Sequence, residues 1–208
     1  MTEIEIKKLL VHYAISNYSD CVLGAEVPFQ FGERRADLAV LTCNLFMGFE
    51  IKSKNDKTDR LAYQNKSYKG FFDYCILVCE KQNLKEIRRA IPDTFGIFLA
   101  SENGLVKIRK PKMIKRHNKL LLTSTLSVSK LKKIPGTKHL RSKYEMCKYI
   151  SEIKTMQELR ALAKEDFLEK YGPASRLIKK EIISLINSDD ILTITKKSPT
   201  KLIRRTCS

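Results

Sequence analysis

The chain has 208 residues, 43% of them hydrophobic, enough for a buried core and too many for wholesale disorder. Lys plus Arg number 40 against 23 Asp plus Glu, a formal charge of +17, and an excess of that size favours a polyanionic partner, nucleic acid or an anionic surface. No apolar stretch approaches the ~18 residues of a membrane-spanning helix, and the start MTEIEIKKLL lacks the features of a secretory leader. Six scattered cysteines do not read as a disulfide framework. These features predict a cytoplasmic protein without a membrane partner.

The charge is unevenly placed. Residues 105–208 hold 26 Lys plus Arg and 9 Asp plus Glu, whereas residues 1–104 hold 14 of each. That asymmetry predicts two parts: a neutral core, 1–109, able to hold chemistry, and a basic, mainly helical C-terminal extension, 110–208, able to clamp a polyanion.

In chain order, Thr2 and Glu5 fit a capping box, and Ile6, Leu9, Leu10 and Tyr13 recur at helical spacing, predicting a helix over Glu3–Tyr18. A strand follows at Cys21–Phe29, then two β-rich runs, Arg35–Thr42 and Leu45–Lys52, parted only by Cys43-Asn44. Asn tolerates positive φ, so a tight hairpin is expected there. Ser53–Thr58 reads as a loop, Asp59 as the cap of a helix over Arg60–Phe72, and Tyr74–Cys79 as a strand buried on both faces. A helix over Asn83–Ala90 precedes a second hairpin, Ile97–Ala100 and Leu105–Arg109. Beyond a basic loop at Lys112–Lys119, the segment Leu120–Ile134 has no clear type. Helices are expected at Ser142–Ile153, from the Thr155/Glu158 capping box to Tyr171, and from Pro173 to about Asn187, with Gly172 as a stop. The end, KKSPTKLIRRTCS, reads as a frayed basic tail. The whole is an α/β chain with a mixed sheet flanked by helices.

The first hairpin carries the chemistry. A two-residue turn at Cys43-Asn44 pairs Thr42 with Leu45, which sets Asp37 opposite Glu50, and Glu50 shares a strand face with Lys52. Carboxylates placed directly opposite repel unless a cation compensates them. A divalent ion bridging them would do so, with the Ile51 carbonyl as a further oxygen donor, and Mg²⁺ or Mn²⁺ suits such a set. Lys52 could then activate a water or neutralise a phosphate. A cluster in which Lys52 simply pairs both acids accounts for the same residues, and both readings stay open at this level.

The patterns RRADLAVL and GFEIKSK resemble the core motif of the PD-(D/E)XK nuclease superfamily, whose fold is restriction-endonuclease-like. The run GFEIKSKNDKTDRLAYQNKSYKGFFDYCILV is similar to an uncharacterised bacterial family of small PD-(D/E)XK-like proteins. The resemblance spans about residues 1–109 and implies Asp37, Glu50 and Lys52 as catalytic residues. Ala36 stands where the motif's Pro would be, a change its signature tolerates. The superfamily often adds a Glu from the first helix, which implies Glu5 as a metal ligand, with Glu26 and Glu33 as alternatives. Gln64 and Tyr68, four apart on one helix face, resemble the QxxxY element of RecB-like nucleases, which implies contacts to water, phosphate or backbone. Arg60, one turn earlier, would reach a phosphate, as would Lys112, Lys115, Arg116 and Lys119 of the basic loop.

The resemblance therefore implies a metal-dependent nuclease acting on DNA, with homodimerisation possible where both strands are cut. A catalytically inactive nucleic-acid-binding module on the same fold is the alternative, and a membrane-surface protein a third class. The histidines His12, His117 and His139 have no metal-ligand spacing, Cys75 and Cys79 are expected in the core, and no Walker A or GxGxxG pattern occurs.

Overall fold

Thr2 and Glu5 do form a reciprocal capping box, opening α1 (Glu3–Asn17), whose residues Ile6, Leu10, Val11 and Ala14 are buried. The structure is a computed structural model that describes residues 1–53, 61–181 and 186–195, with the side chains of 61–64 and 181 excepted. The strands are β1 (Val22–Phe29), β2 (Arg34–Thr42), β3 (Leu45–Lys52), β4 (Tyr74–Cys79), β5 (Gly96–Ser101) and β6 (Gly104–Arg109), with α2 (Leu61–Phe71) and α3 (Leu84–Ala90) as the crossovers around β4. The six strands form one sheet in sequence order. Pairing is antiparallel for β1–β2, β2–β3 and β5–β6, and parallel for β3–β4 and β4–β5. Mixed α/β architecture with flanking helices is thus what the sequence pattern predicted.

The Cys43-Asn44 turn has positive φ at both residues, 44° and 63°, the geometry that matches the twist of a two-residue hairpin. It sets the register Thr42↔Leu45 through Leu38↔Phe49. On one face Leu38, Val40, Met47, Phe49 and Ile51 are buried under α1. On the other face Phe46, Cys75, Leu77 and Cys79 pack with Phe71 and Phe72 at the end of α2, so both β4 cysteines are core residues.

The untyped segment resolves into α4 (Lys119–Ser124) and α5 (Val128–Lys132), capped by Asn118 and Ser127. Then come α6 (Lys143–Ile153), with its own Ser142/Glu145 capping box, α7 (Met156–Glu181) and α8 (Ser188–Thr195). The core is continuous across residue 110. Leu122, Leu131, Met146 and Phe167 belong to one core with Phe46 of β3 and Phe71 of α2.

One expectation is corrected. The two helices placed either side of Gly172 are a single 26-residue helix running through Pro173. The residue before a proline avoids helical backbone because its Cβ and N–H meet the proline ring, and Gly172 has no Cβ to clash. Both halves are also anchored on the edge strand β1. Tyr171 packs so close to Gly24 that a Cβ there would lie 2.9 Å from its ring, and Ser175 Oγ accepts from Leu23 N at 3.1 Å. The helix so covers a sheet edge that would otherwise present free backbone groups. The Asp59 cap, the body of the Ser53–Thr58 loop and the basic C-terminal tail lie outside the described residues.

Candidate functional site

Regular pleating fails on β1 and β2 at one place. On β1, Leu23 and Ala25 face the α1 layer but Val27 and Phe29 face the α2 layer. The phase changes at Glu26, whose φ is 49°. On β2 the change falls between Ala36, in the α2 layer, and Leu38, in the α1 layer, hence at Asp37. The β1–β2 register, Ala25↔Leu38 and Val27↔Ala36, sets Glu26 across from Asp37. A paired irregularity of this kind re-aims side chains, here two carboxylates.

The β2–β3 ladder ends at Leu38↔Phe49, while β3 continues to Lys52 paired with β4. Asp37 is the next residue of β2 and turns its carboxylate into the opening. Its Oδ2 accepts from Ile51 N at 2.6 Å, taking the place of a backbone acceptor. N–H and C=O of one extended residue point to the same side, so the Ile51 carbonyl opens into the same gap. Asp37 is therefore one residue past the last paired position and sits in the gap, not paired directly across from Glu50 on one sheet face as the hairpin register alone would set it.

Glu50 and Lys52 stand on the α2 side, both buried. Lys52 Nζ donates to Glu50 Oε1 at 2.9 Å, and Tyr68 Oη of α2 donates to Glu50 Oε2 at 2.7 Å. Burial first, then the Glu50 charge, holds the Tyr68 phenol well above its ordinary value. The same two causes push the Asp37 carboxyl up, only partly offset by the Ile51 N–H. Burial and a neighbouring like charge both disfavour the ionised form, the combination that marks a site short of positive charge.

On the α1 side, Glu3, Glu26 and Asp37 bring carboxylate oxygens within 4.8 Å of one another. Lys7, one turn after Glu3, bonds Glu26 and Glu3. Burial pulls its ammonium down, but the two carboxylates outweigh that and leave it raised. Arg35 lies 3.9 Å from Glu26.

The expected site residues are partly brought together. Asp37, Glu50, Ile51, Lys52 and Tyr68 converge. Glu5 does not join them: it is exposed and its Oε2 accepts from Thr2 N at 2.6 Å. The reason is helical phase, since residues two apart point to nearly opposite sides, and Glu3 is the α1 carboxylate that reaches Asp37. Glu33 is also exposed, accepting from Gln30 Nε2 at 3.0 Å. Arg60 and the side chain of Gln64 lie outside the described residues. Lys112, Lys115 and Arg116 are exposed, and Lys119 Nζ donates to Lys154 O at 2.8 Å. Sequence reasoning missed Glu3 and Lys7, though their i, i+4 spacing could have flagged them.

A second buried polar cluster had no sequence signal. Asp73 Oδ2 accepts from Phe46 N at 2.7 Å, and Oδ1 lies 2.5 Å from Arg160 Nη2. His117 Nδ1 is 2.9 Å from Arg160 Nη1, and its Nε2 is 3.2 Å from Phe72 O. Because guanidinium only donates, His117 takes the neutral tautomer with its proton on Nε2. Burial holds its pKa below the ordinary value.

A mixed six-stranded sheet, flanked by helices and opening at an acid-lined gap, defines the class of protein. A sequence profile of the family described as Bacteriophage P4 protein cII matches residues 1–194, and the chain belongs to that family. Protein cII of Enterobacteria phage P4 is 31% identical over 138 residues, 64% of this chain and 52% of the relative; the chain spans about half the length of that relative. Among solved structures, a protein of unknown function from Silicibacter pomeroyi is similar with a TM-score of 0.45 at 15% identity, covering 68% of this chain and 97% of that one. Among the described residues, no helix is long and apolar enough to cross a membrane.

Proposed function

We propose that this chain is a metal-dependent nuclease of the PD-(D/E)XK type that hydrolyses phosphodiester bonds, with DNA the favoured substrate. The observation that carries the reading is the gap where β2 leaves β3. Asp37 enters it, Glu50 and Lys52 flank it, and the Ile51 amide fixes the Asp37 carboxylate. The donors there are all hard oxygens, and Asp37 is held in an environment that disfavours its charge. That set fits Mg²⁺ or Mn²⁺, which Asp37, Glu50 and the Ile51 carbonyl would hold. Such an ion, when bound, supplies Lewis acidity and makes a water acidic enough to attack.

The protein's own groups do the rest. Tyr68 fixes the Glu50 rotamer through one carboxylate oxygen, and Lys52 sits on the other. A buried ammonium at that point would orient the attacking water and offset negative charge growing on the phosphate. Glu3, Glu26 and Lys7 frame the far side of Asp37.

The test is cleavage of labelled linear and supercoiled DNA with Mg²⁺ or Mn²⁺, beside Lys52→Ala. Cutting that needs the metal and falls at least roughly 100-fold in the variant is expected. DNA bound but left intact with either metal would support a binding module instead. One observation favours that second reading: the Lys52–Glu50 pair is closed at 2.9 Å, which already neutralises one acid.

A further inference from the structure

Among the described residues, the buried Lys7 pairs with Glu3 and Glu26 and the buried Lys52 with Glu50, while the partly buried Arg160 pairs with Asp73. One cleft is different. Between α2 and the segment 116–118 lies a cavity of about 510 Å³ whose walls include Gln30, Lys66, Lys69, Arg116 and Asn118 and, among the described residues, no acidic side chain. Among the described residues, Lys66, Lys69 and Arg116 make no ion pair; Lys69 Nζ lies 6.0 Å over the Phe95 ring, and Lys66 and Arg116 are exposed. Two acids stand behind the walls: Glu33, which accepts from Gln30 Nε2, and Asp73, 3.6 Å from the wall residue His117 and paired with Arg160.

The cleft is built rather than incidental. Asn118 N donates to Gly70 O at 2.9 Å, and Ile114 N donates to Asp73 O at 2.8 Å, fastening the basic segment along the end of α2. His117, buried between Arg116 and Asn118, is held by Arg160 and Phe72. Gly70 allows the approach, because a Cβ there would meet Leu121 Cδ1 at 2.5 Å. Three cationic side chains lining one cleft make a local positive field that favours an anion there. The cleft also shares elements with the candidate site: α2 carries Lys66 and Lys69 on one face and, on another, the buried Tyr68 that bonds Glu50, and Gln30 directly follows β1, the strand of Glu26.

We propose that this cleft seats the phosphodiester backbone of a nucleic acid, with Lys66, Lys69 and Arg116 as phosphate contacts and Gln30 and Asn118 as neutral polar walls. The proposal rests on the nuclease reading for its substrate class, but not for its test. Contacts of this kind position a strand without reading its bases, and they release counterions, so affinity falls with salt.

The experiment is fluorescence anisotropy of labelled duplex DNA, single-stranded DNA and an RNA hairpin, in EDTA, at several KCl concentrations. The full chain is compared with a Lys66→Gln/Lys69→Gln/Arg116→Gln variant. A Lys138→Gln/Lys148→Gln/Lys180→Gln variant removes the same charge from exposed positions elsewhere. The cleft variant should lose roughly tenfold or more in affinity near 0.1 M KCl, and its slope of log K against log salt should flatten by about 2 to 3. The three probes show which backbone is preferred. Equal losses in the two variants, or no binding of any probe by the native chain, would overturn the proposal. The two readings fail separately: EDTA removes cleavage from the experiment, so a cleft that binds while Lys52→Ala changes no cutting leaves the phosphate seat standing without the nuclease.

Discussion

Two buried polar clusters lie on this sheet, and they are built on opposite principles. Asp73 is surrounded by donors: the Phe46 amide, the Arg160 guanidinium and, 3.6 Å away, the His117 ring. Asp37 has one amide and a set of other carboxylates, Glu3, Glu26 and Glu50, with Lys7 and Lys52 spent on its neighbours. The first cluster fastens the 110–118 segment and α7 to the sheet. The second keeps its central acid in an unfavourable state, a condition that a fold tolerates only where other contacts fix it. Difference in compensation, more than burial, separates a brace from a site.

Breaking the brace should give the largest effect. Asp73→Ala strips Phe46 N of its acceptor and leaves Arg160 and His117 without their carboxylate. Removing one partner of a buried pair costs about 3–5 kcal/mol, and the exposure of Arg160 places this case at the lower end. Urea unfolding followed by far-UV circular dichroism reads the loss; a change under about 1 kcal/mol would show that the cluster braces nothing.

Relieving the site should move stability the other way, and less. Asp37→Asn keeps an acceptor for Ile51 N and removes a charge that burial and Glu50 both oppose. A gain of about 0.2–1 kcal/mol is expected, the scale of a like-charge pair across strands, together with loss of metal-dependent cutting. A destabilised Asn variant would mean that the Asp37 charge is compensated in the folded chain.

The smallest effect is in pH. His117 has a folded pKa below its unfolded value of 6.5, so the unfolded chain binds more protons in the window between them. Its contribution to stability is complete above pH 6.5 and is lost as pH falls through the folded value. Asp37 runs the opposite way: its folded pKa is raised, the folded chain binds the extra proton, and stability from this group rises as pH falls. His117→Gln should therefore flatten the loss of stability below pH 6.5, and Asp37→Asn should steepen it. Unfolding midpoints across pH 5 to 8 for the three proteins test both signs.

The hairpin was legible because its determinants are local. Cys43-Asn44 imposes the two-residue turn, the turn imposes the register through Leu38↔Phe49, and that brings Asp37 to the end of the ladder near Glu50. Capping boxes at Thr2/Glu5 and Thr155/Glu158 were legible for the same reason. The Thr2 box also explains why Glu5 was a poor choice of ligand: its carboxylate is taken by the helix it helps to start. Glu26 was only one of several acids because its placement depends on a positive φ in mid-strand, which no neighbouring residue announces.

By itself the sequence determined the strands, the capped helix starts at Thr2, Ser142 and Thr155, the tight hairpin and the concentration of charge in residues 105–208, since each follows from neighbours in the chain or from counting. Tertiary structure alone decided the rest. It joined Asp73, His117 and Arg160 across 44 and 43 residues, turned Asp37 into the gap where β2 and β3 part, and kept α7 whole by docking Tyr171 and Ser175 on β1. Those outcomes depend on which surfaces meet, and the spacing of residues along a chain does not specify that.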